Sequence, residues 1–125
     1  MSNVGPHEMS FDYFACRLTR PIESLKDLDE SAASKEDWFK EGCSVLAAQF
    51  PELQWEHDGE RFRGFGAHLG IGRFDAILSK QQGVVYLRVE GRGGDQQNAY
   101  VSRLANAVGA TAFESPTGRR VVVQA

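Results

Sequence analysis

The stretch from Gly83 to Gly109 constrains the fold most, because it predicts a strand, a glycine-rich turn and a helix in succession. Val84–Val89 alternates apolar residues with charged or aromatic ones, the pattern of a strand whose two faces differ in burial. Asp95 stands where an N-cap would begin the helix, and apolar residues then recur at helical spacing. Gly109 follows where a left-handed residue would end it. We therefore predict a one-sided sheet and a helix over Asp95–Val108.

The rest of the chain predicts an α+β fold, with two helices packed on one face of a mainly antiparallel sheet. The other helix, Ser34–Phe50, begins at a sequence similar to a capping box and stops before Pro51. Asp58-Gly59 is a hairpin signal. Residues 1–10 are predicted to be a flexible tail, and residues 11–125 a single domain. Strands are predicted at residues 11–19, 53–57, 60–69, 74–79, 84–89, 110–114 and 119–124. The residues expected in the core are Trp38, Leu46, Phe50, Val85, Leu87, Val101, Leu104 and Val108.

Charge is distributed unevenly along the chain, although the net charge is only −3. Residues 1–60 carry 13 acidic against 5 basic side chains, a net of −8, and residues 61–125 carry 4 against 9, a net of +5. Such a split indicates either a charged partner or pairing of the two halves within the fold. No apolar run approaches the roughly 20 residues that span a bilayer. The first ten residues lack the features of a secretory signal, so a cytoplasmic protein without membrane contact is expected.

The glycine-rich turn Gly91–Asp95 could cradle a phosphate, because it connects a strand to a helix N-terminus. It lacks the last glycine of a dinucleotide-binding fingerprint, and no P-loop Lys-Ser/Thr pair follows. Asp95 would also place a negative charge beside the phosphate. We expect a strand-to-helix turn here and predict no cofactor, while a ligand of this loop remains the alternative.

Catalytic and metal-binding patterns are weak in this sequence. His57, Asp58 and His68 flank one hairpin but match no ligand spacing, so exposed polar residues are expected and no metal is predicted. Cys16 and Cys43 fall on predicted core faces, where thiols are reduced and inert. We predict that the protein is not an enzyme, with a small enzyme of unknown reaction as an alternative.

Nucleic-acid binding is a second alternative, because arginines and aromatic residues alternate in the second half of the chain. A sheet face of this composition can stack single-stranded bases. The overall acidity and the absence of an RNP-type motif make nucleic acid an unlikely partner. The arginines are Arg61, Arg63, Arg73, Arg88, Arg92, Arg103, Arg119 and Arg120, and the aromatic residues among them are Phe62, Phe65 and Tyr86.

Several short segments together resemble a group of small bacterial proteins of the toxin-immunity type. These segments are Met9–Phe14, Leu28–Glu30, Phe50–Trp55, Ala112-Phe113 and Thr117-Gly118. The resemblance covers most of the chain after Met9 and implies no catalytic residue. It implies a cytosolic immunity or antitoxin-type protein that binds a cognate protein toxin and blocks it by occlusion.

The acidic run between Glu23 and Glu41 is the predicted partner-binding surface. Toxins that act on nucleic acids or nucleotides tend to have basic clefts, so an inhibitor that fills such a cleft is expected to be acidic there. Side chains in a loop and at a helix N-terminus can project without disturbing the core. The residues predicted to bind the partner are Asp27, Asp29, Glu30, Glu36 and Asp37. The last two also suit the helix dipole, so the first three are the stronger candidates.

Overall fold

A computed structural model describes residues 11–121, which form one six-stranded antiparallel sheet and two α-helices. The elements are β1 (Phe11–Cys16), α1 (Phe39–Gln49), β2 (Gln54–Asp58), β3 (Arg61–Phe65), β4 (Phe74–Gln81), β5 (Val84–Gly91), α2 (Asp95–Ala107) and β6 (Thr111–Glu114). Across the sheet the strands follow the order β2-β3-β4-β5-β1-β6. The predicted α+β fold is confirmed. The predicted tail, residues 1–10, and the end of the last predicted strand, residues 122–124, lie outside the described residues.

Tight turns connect β2 to β3 and β4 to β5, as their sequences predict, while residues 66–73 form a longer connection from β3 to β4. Gln82 and Gly83 both have positive φ, 52° and 83°, between the paired residues Gln81 and Val84. Two positive φ angles in a two-residue loop match the twist of the flanking strands. The Asp58-Gly59 hairpin also forms, although its turn residues are Gly59 and Glu60, because Asp58 still pairs with β3. These hairpins set the register of β2 against β3 and of β4 against β5.

The helices cover one face of the sheet, called here the inner face. Alternate strand residues such as Tyr13, Phe74 and Leu87 meet α1 and α2 there. Burial of one large apolar side chain contributes about 1.5–3 kcal/mol, so this layer supplies most of the stability. All eight predicted core residues are buried, with Leu46, Val85, Val101 and Leu104 at 0% exposure.

The predicted start of the first helix, Ser34, is wrong, whereas the second helix starts at Asp95 as predicted and only its N-cap differs. Helix α1 begins at Phe39 and not at Ser34, because the Ser34 hydroxyl accepts a hydrogen bond from Glu36 N and holds a turn instead. Helix α2 begins at Asp95, so Gly94 occupies the N-cap position predicted for Asp95. The turn at Ser34 is a local alternative to a helix that short polar side chains provide.

The end of α2 confirms the predicted left-handed cap. Gly109 has φ 71°, and its N–H donates to the Asn106 carbonyl. Ala110 N donates to Ala105 O, which completes a Schellman motif. This motif turns the chain directly into β6, which pairs with β1 at the edge of the sheet.

The face opposite the helices, called here the outer face, is covered only in part. Residues 17–34 leave the end of β1 and return across β6, where Ile22 and Ala32 cluster with Phe113. This returning segment contains one 3-10 turn, Leu25–Asp27, and a bridge between Leu18 and Ala33 holds the two ends of residues 17–34 together. The rest of the outer face stays open to solvent.

Candidate functional site

An open groove of about 750 Å³ lies on the outer face, between the returning segment 28–35 and strand β5. Leu28 and Ala33 form its apolar wall, and Val84 lies at the end nearest the β4–β5 turn. The groove exists because residues 17–34 cover β6 and stop short of β5. A concave surface with apolar walls is the usual form of a binding site.

Two aromatic rings form the floor of this groove. Phe14 of β1 and Tyr86 of β5 stack with their ring centroids 5.3 Å apart and an interplanar angle of 20°. Both side chains are only half-buried. Strand alternation places them on the outer face, and the β1–β5 register brings them together, since Phe14 pairs with Arg88 and Cys16 with Tyr86. The floor therefore presents an accessible apolar platform.

Of the acidic residues predicted to bind a partner, Asp29 and Glu30 lie in the wall of the groove. Asp29 also has a structural role, which the sequence did not predict. Its Oδ1 accepts hydrogen bonds from Ser31 Oγ and Ala32 N, both at 2.8 Å, and its Oδ2 lies 3.5 Å from Arg20. These hydrogen bonds, with the arginine, lower the pKa of the Asp29 carboxyl. Glu30 is exposed and forms no ion pair with another residue of the range 11–121.

The other predicted partner-binding residues do not line the groove. Glu36 Oε1 lies 2.9 Å from Arg17, and Asp37 Oδ2 lies 2.9 Å from Lys80, whose strand position is on the inner face. The hydrogen bond from Lys80 lowers the pKa of Asp37. Asp27 is exposed in the 3-10 turn. The predicted acidic surface is therefore divided between two sides of the sheet.

A row of carboxylates borders the groove beyond Phe14. Asp75, Glu90 and Asp12 face one another across β4, β5 and β1, in direct register on the outer face. Arg88 Nη2 lies 2.8 Å from Glu90, and Arg73 reaches both Glu90 and Asp75, at 3.5 and 4.0 Å. The Asp12 Oδ1 atom is buried and has no hydrogen-bond partner within the described part of the chain. Like charges directly opposite in a sheet are destabilising, so this row is a costly arrangement in the free protein.

The glycine-rich turn Gly91–Asp95 does not offer a free phosphate cradle, because Gln97 occupies it. The Gln97 side chain is 1% exposed, and its Oε1 accepts from Arg92 N at 2.8 Å and Gly93 N at 3.0 Å. Its Nε2 donates to the carbonyls of Ile71 and Arg73, at 2.8 and 2.9 Å. Two backbone donors of the turn, those of Arg92 and Gly93, are therefore already used by this amide.

The hairpin histidines are not brought together. The His57 ring lies over Phe62, with centroids 4.7 Å apart, while His68 Nε2 contacts Glu52 O at 2.8 Å. In residues 11–121, no group of three His, Cys, Asp or Glu side chains is arranged to hold a metal ion. Cys16 and Cys43 are free thiols, and burial raises the pKa of Cys16 to about 11. Thiols of this kind are predominantly protonated near neutral pH.

The predicted arginine face forms in part. Arg61, Arg63 and Arg88 lie on the outer face, while Phe62 points to the inner face and is buried. Each of these arginines contacts a carboxylate, either Asp58 or Glu90, at 2.8 to 3.5 Å. These carboxylates of the same chain offset the positive charge of the three arginines. Three other arginines of the predicted set lie at other places: Arg103 packs over Phe50, Arg119 bridges to Ser24, and Arg120 bridges to Phe113.

Comparison of the chain with protein-family models, with curated proteins and with solved structures finds no match. None of the helices found in residues 11–121 has the length and apolar character required to cross a membrane.

The Phe14–Tyr86 platform was missed at the level of the sequence. Each residue could be assigned to a strand face by alternation, but β1 and β5 are far apart in the chain. Only the pairing of these strands shows that the two rings meet.

Proposed function

We propose that this protein is a cytoplasmic immunity or antitoxin-type protein that binds a cognate bacterial toxin and blocks it by occlusion. The observation that carries the proposal is the open outer-face groove, whose Phe14–Tyr86 floor is bordered by charged side chains of both signs, Asp29 and Glu30 with Lys35 and Arg88. The immunity class itself comes from the segments that resemble such proteins. The proposal assigns no catalytic step to the chain.

The groove has the properties that favour binding to a protein surface. Aromatic side chains in a concave, partly desolvated position supply most of the binding energy in many interfaces. Charged groups at the border speed encounter and favour the correct partner. The platform and the wall that carries Asp29 are positioned by strand pairing and by the Asp29 hydrogen bonds, so little ordering would be required upon binding.

The decisive experiment is affinity capture with the full-length chain from its native cells, followed by mass spectrometry and co-expression. We expect the captured partner to be toxic when expressed alone and harmless when expressed with this protein. A variant with Tyr86→Ser is expected to capture less, while Arg103→Gln, on the helix layer, captures normally. If the captured partners include no toxin, and no neighbouring reading frame encodes one, the proposed function is wrong.

A nucleic-acid-binding module is the second candidate, and one observation favours it. Phe65 shares the outer face with Arg61 and Arg63, and the Arg63 guanidinium lies 5.1 Å from the Phe65 ring. Binding of single-stranded oligonucleotides with a steep dependence on salt would support this candidate over the toxin inhibitor. The pairing of these arginines with Asp58 counts against the nucleic-acid candidate, because it offsets their charge.

A further inference from the structure

We propose that β2 is an open edge of the sheet that accepts an antiparallel β-strand of another protein, with a lysine or arginine opposite Glu56 and apolar residues opposite Trp55 and His57. This interaction surface goes beyond the proposed function, because β2 lies three strands away from β5 and the outer-face groove. The direction of its backbone groups, the lack of cover and the charge along the edge carry the inference.

The backbone of β2 directs one set of hydrogen-bonding groups away from the sheet. Gly66 N donates to Phe74 O, so the even-numbered residues of β3 direct their N–H and C=O groups towards β4. The odd-numbered residues of β3 therefore bond to the even-numbered residues of β2. Trp55 and His57 alternate with these, and their N–H and C=O groups point outward. No turn or loop of residues 11–121 supplies a backbone partner for these two residues.

The two edges of the sheet differ in their cover. At the β6 edge the chain returns, since Arg120 bridges to Phe113 and Val121 N donates to Ala112 O at 2.8 Å. At the β2 edge four of the five side chains are exposed. Strand β2 contains no proline, and its register with β3 has no bulge, although both are common means of blocking an edge. The β2 edge is therefore able to pair with a further strand.

The charge along this edge favours a cationic strand. Residues 52–60 carry four carboxylates and no lysine or arginine. On the outer face, Glu56 and Asp58 lie on β2 itself, whereas Arg61 and Arg63 lie on β3 and both contact Asp58. An added strand would place its side chains about 5 Å from those of β2 and roughly twice as far from those of β3. It would therefore meet the carboxylates first, although these four outer-face charges sum to zero.

Glu56 is the position opposite which the cation would lie. Its carboxylate is exposed and forms no ion pair with another residue of the described range. Trp55 and His57 would form the hydrogen-bonded pairs with the added strand. The residue opposite Glu56 would then belong to the other kind of pair, in which the side chains lie closer together. Opposite charges at directly opposed positions stabilise a sheet.

The inner side of the edge favours apolar residues. The Trp55 indole stacks on Phe62, with ring centroids 4.9 Å apart and an interplanar angle of 8°, and the His57 ring centroid lies 4.7 Å from that of Phe62. Trp55 is half-buried and His57 is exposed. A β-branched side chain opposite either ring would extend this aromatic cluster, because aromatic and β-branched residues pair well across strands.

A second copy of this chain fits the edge less well. The antiparallel register that pairs all five residues of β2 places Glu56 opposite Glu56. The register shifted towards the turn places Glu56 opposite Asp58, and the register shifted the other way pairs only three residues of each strand. Like charges directly opposite destabilise a sheet. The acidic edge therefore opposes self-pairing and favours a strand of opposite charge.

Binding of short synthetic strands to the full-length protein tests this inference. The probe is a capped peptide of about nine residues that alternates lysine and valine, and the matched copy has glutamate in place of lysine. We expect the lysine peptide to bind and the glutamate copy to bind about 10-fold more weakly. Hydrogen exchange measured by NMR should slow at the Trp55 and His57 amides upon binding. The amides of Glu56 and Asp58 already bond to β3 and should change little.

Methylation of the peptide backbone separates strand pairing from attraction between charges. Methyl groups on the valine nitrogens, which would face Trp55 and His57, should abolish binding. Methyl groups on the lysine nitrogens, which would face away from β2, should leave most of the binding. Three results would each overturn the inference: no binding of the lysine peptide, equal binding of the lysine and glutamate peptides, or equal binding of the two methylated copies.

A matched pair of protein variants locates the cation. Glu56→Gln should weaken binding of the lysine peptide roughly 2- to 5-fold. Glu30→Gln, in the wall of the outer-face groove, should leave binding unchanged. Both positions are exposed, so neither variant should change the melting temperature appreciably. An affinity that is the same for both variants would contradict the proposed position.

Two further measurements can overturn the inference. Slower exchange of the Trp55 and His57 amides at rising protein concentration, without peptide, would show that a second copy covers the edge. Loss of peptide binding in Tyr86→Ser would place the peptide in the groove and not at β2. Failure of the proposed function is distinguished by toxin capture, which this inference does not require.

Discussion

Replacing Gln97 by leucine should destabilise this protein more than any other single change to a polar side chain. The amide joins two loops, since it accepts from Arg92 N and Gly93 N and donates to the carbonyls of Ile71 and Arg73. All four hydrogen-bonding positions of the side chain are used. Leucine has a similar volume, so the change removes the hydrogen bonds without leaving a large cavity.

The magnitude follows from the number of groups left without a partner. Each buried hydrogen bond contributes about 0.5–1.5 kcal/mol net, so four bonds together give about 4 kcal/mol. In a domain of this size such a loss lowers the melting temperature by roughly 12–15 °C. A Cβ at Gly91 would lie 2.2 Å from Gln97 Oε1, which shows how closely the backbone approaches the amide.

Urea denaturation followed by circular dichroism measures this loss as a change of midpoint at constant slope. The matched control is Gln96→Leu, at the exposed neighbouring position of the same helix, which should change the free energy of unfolding by less than about 0.5 kcal/mol. If Gln97→Leu costs no more than this control, the four hydrogen bonds do not hold the loops and the reasoning is wrong.

A glutamate at position 97 gives an independent test through pH. It can still accept from Arg92 N and Gly93 N, but only its protonated form has a proton to donate to a carbonyl. Burial and the two carbonyl oxygens would raise its pKa in the folded state above that in the unfolded state. Stability of Gln97→Glu should therefore fall as pH rises from 4 to 8, relative to the native chain. A difference in stability that does not depend on pH would contradict this.

Three further changes are expected to have distinct effects. Asp29→Ala should lower the melting temperature measurably while Asp27→Ala, in the same acidic run, should not, because only Asp29 holds the turn that follows it. Gly64→Ala should lower the free energy of unfolding measured in urea by about 1–3 kcal/mol, because its Cβ would lie 2.7 Å from the indole ring of Trp55. The displaced indole should also shift the tryptophan emission to the red. The Tyr100 hydroxyl donates to Glu52 and lowers the pKa of that carboxyl, so the bond stabilises the protein above the ordinary pKa of glutamate and is lost in acid. Tyr100→Phe should therefore be destabilising at pH 7 and nearly neutral at pH 3 by chemical denaturation, and an equal effect at both would refute the assignment.

Local sequence patterns predict a strand or a helix correctly where interactions between neighbouring residues decide which of the two forms. The strand Val84–Val89 and the helix from Asp95 to its glycine cap both form, because periodicity and a left-handed glycine are properties of adjacent residues. The start of α1 was wrong, since Ser34 and Asp37 each bind a nearby backbone N–H and compete with the helix. Such competition between local alternatives is decided by packing that a single segment does not show.

The functional interpretation of single residues was less secure for the same reason. The sequence predicts that Asp29 is free for a partner, yet it accepts two hydrogen bonds within its own turn. In the sequence Gln97 is one polar residue of a predicted helix, although its position between two loops makes it a central polar contact. Neither role leaves a signal in composition or spacing.

The sequence by itself determined the α+β class, the core residues and the hairpin β4–β5, because these depend on alternation, helical spacing and turn residues that lie close together in the chain. Only the tertiary structure decided that β1 inserts between β5 and β6. That insertion stacks Phe14 on Tyr86 and aligns Asp12 with Glu90, residues separated by more than half of the chain. The groove and its charge depend on these distant pairings, and strand pairing over such a separation is set by the whole core and not by any one segment.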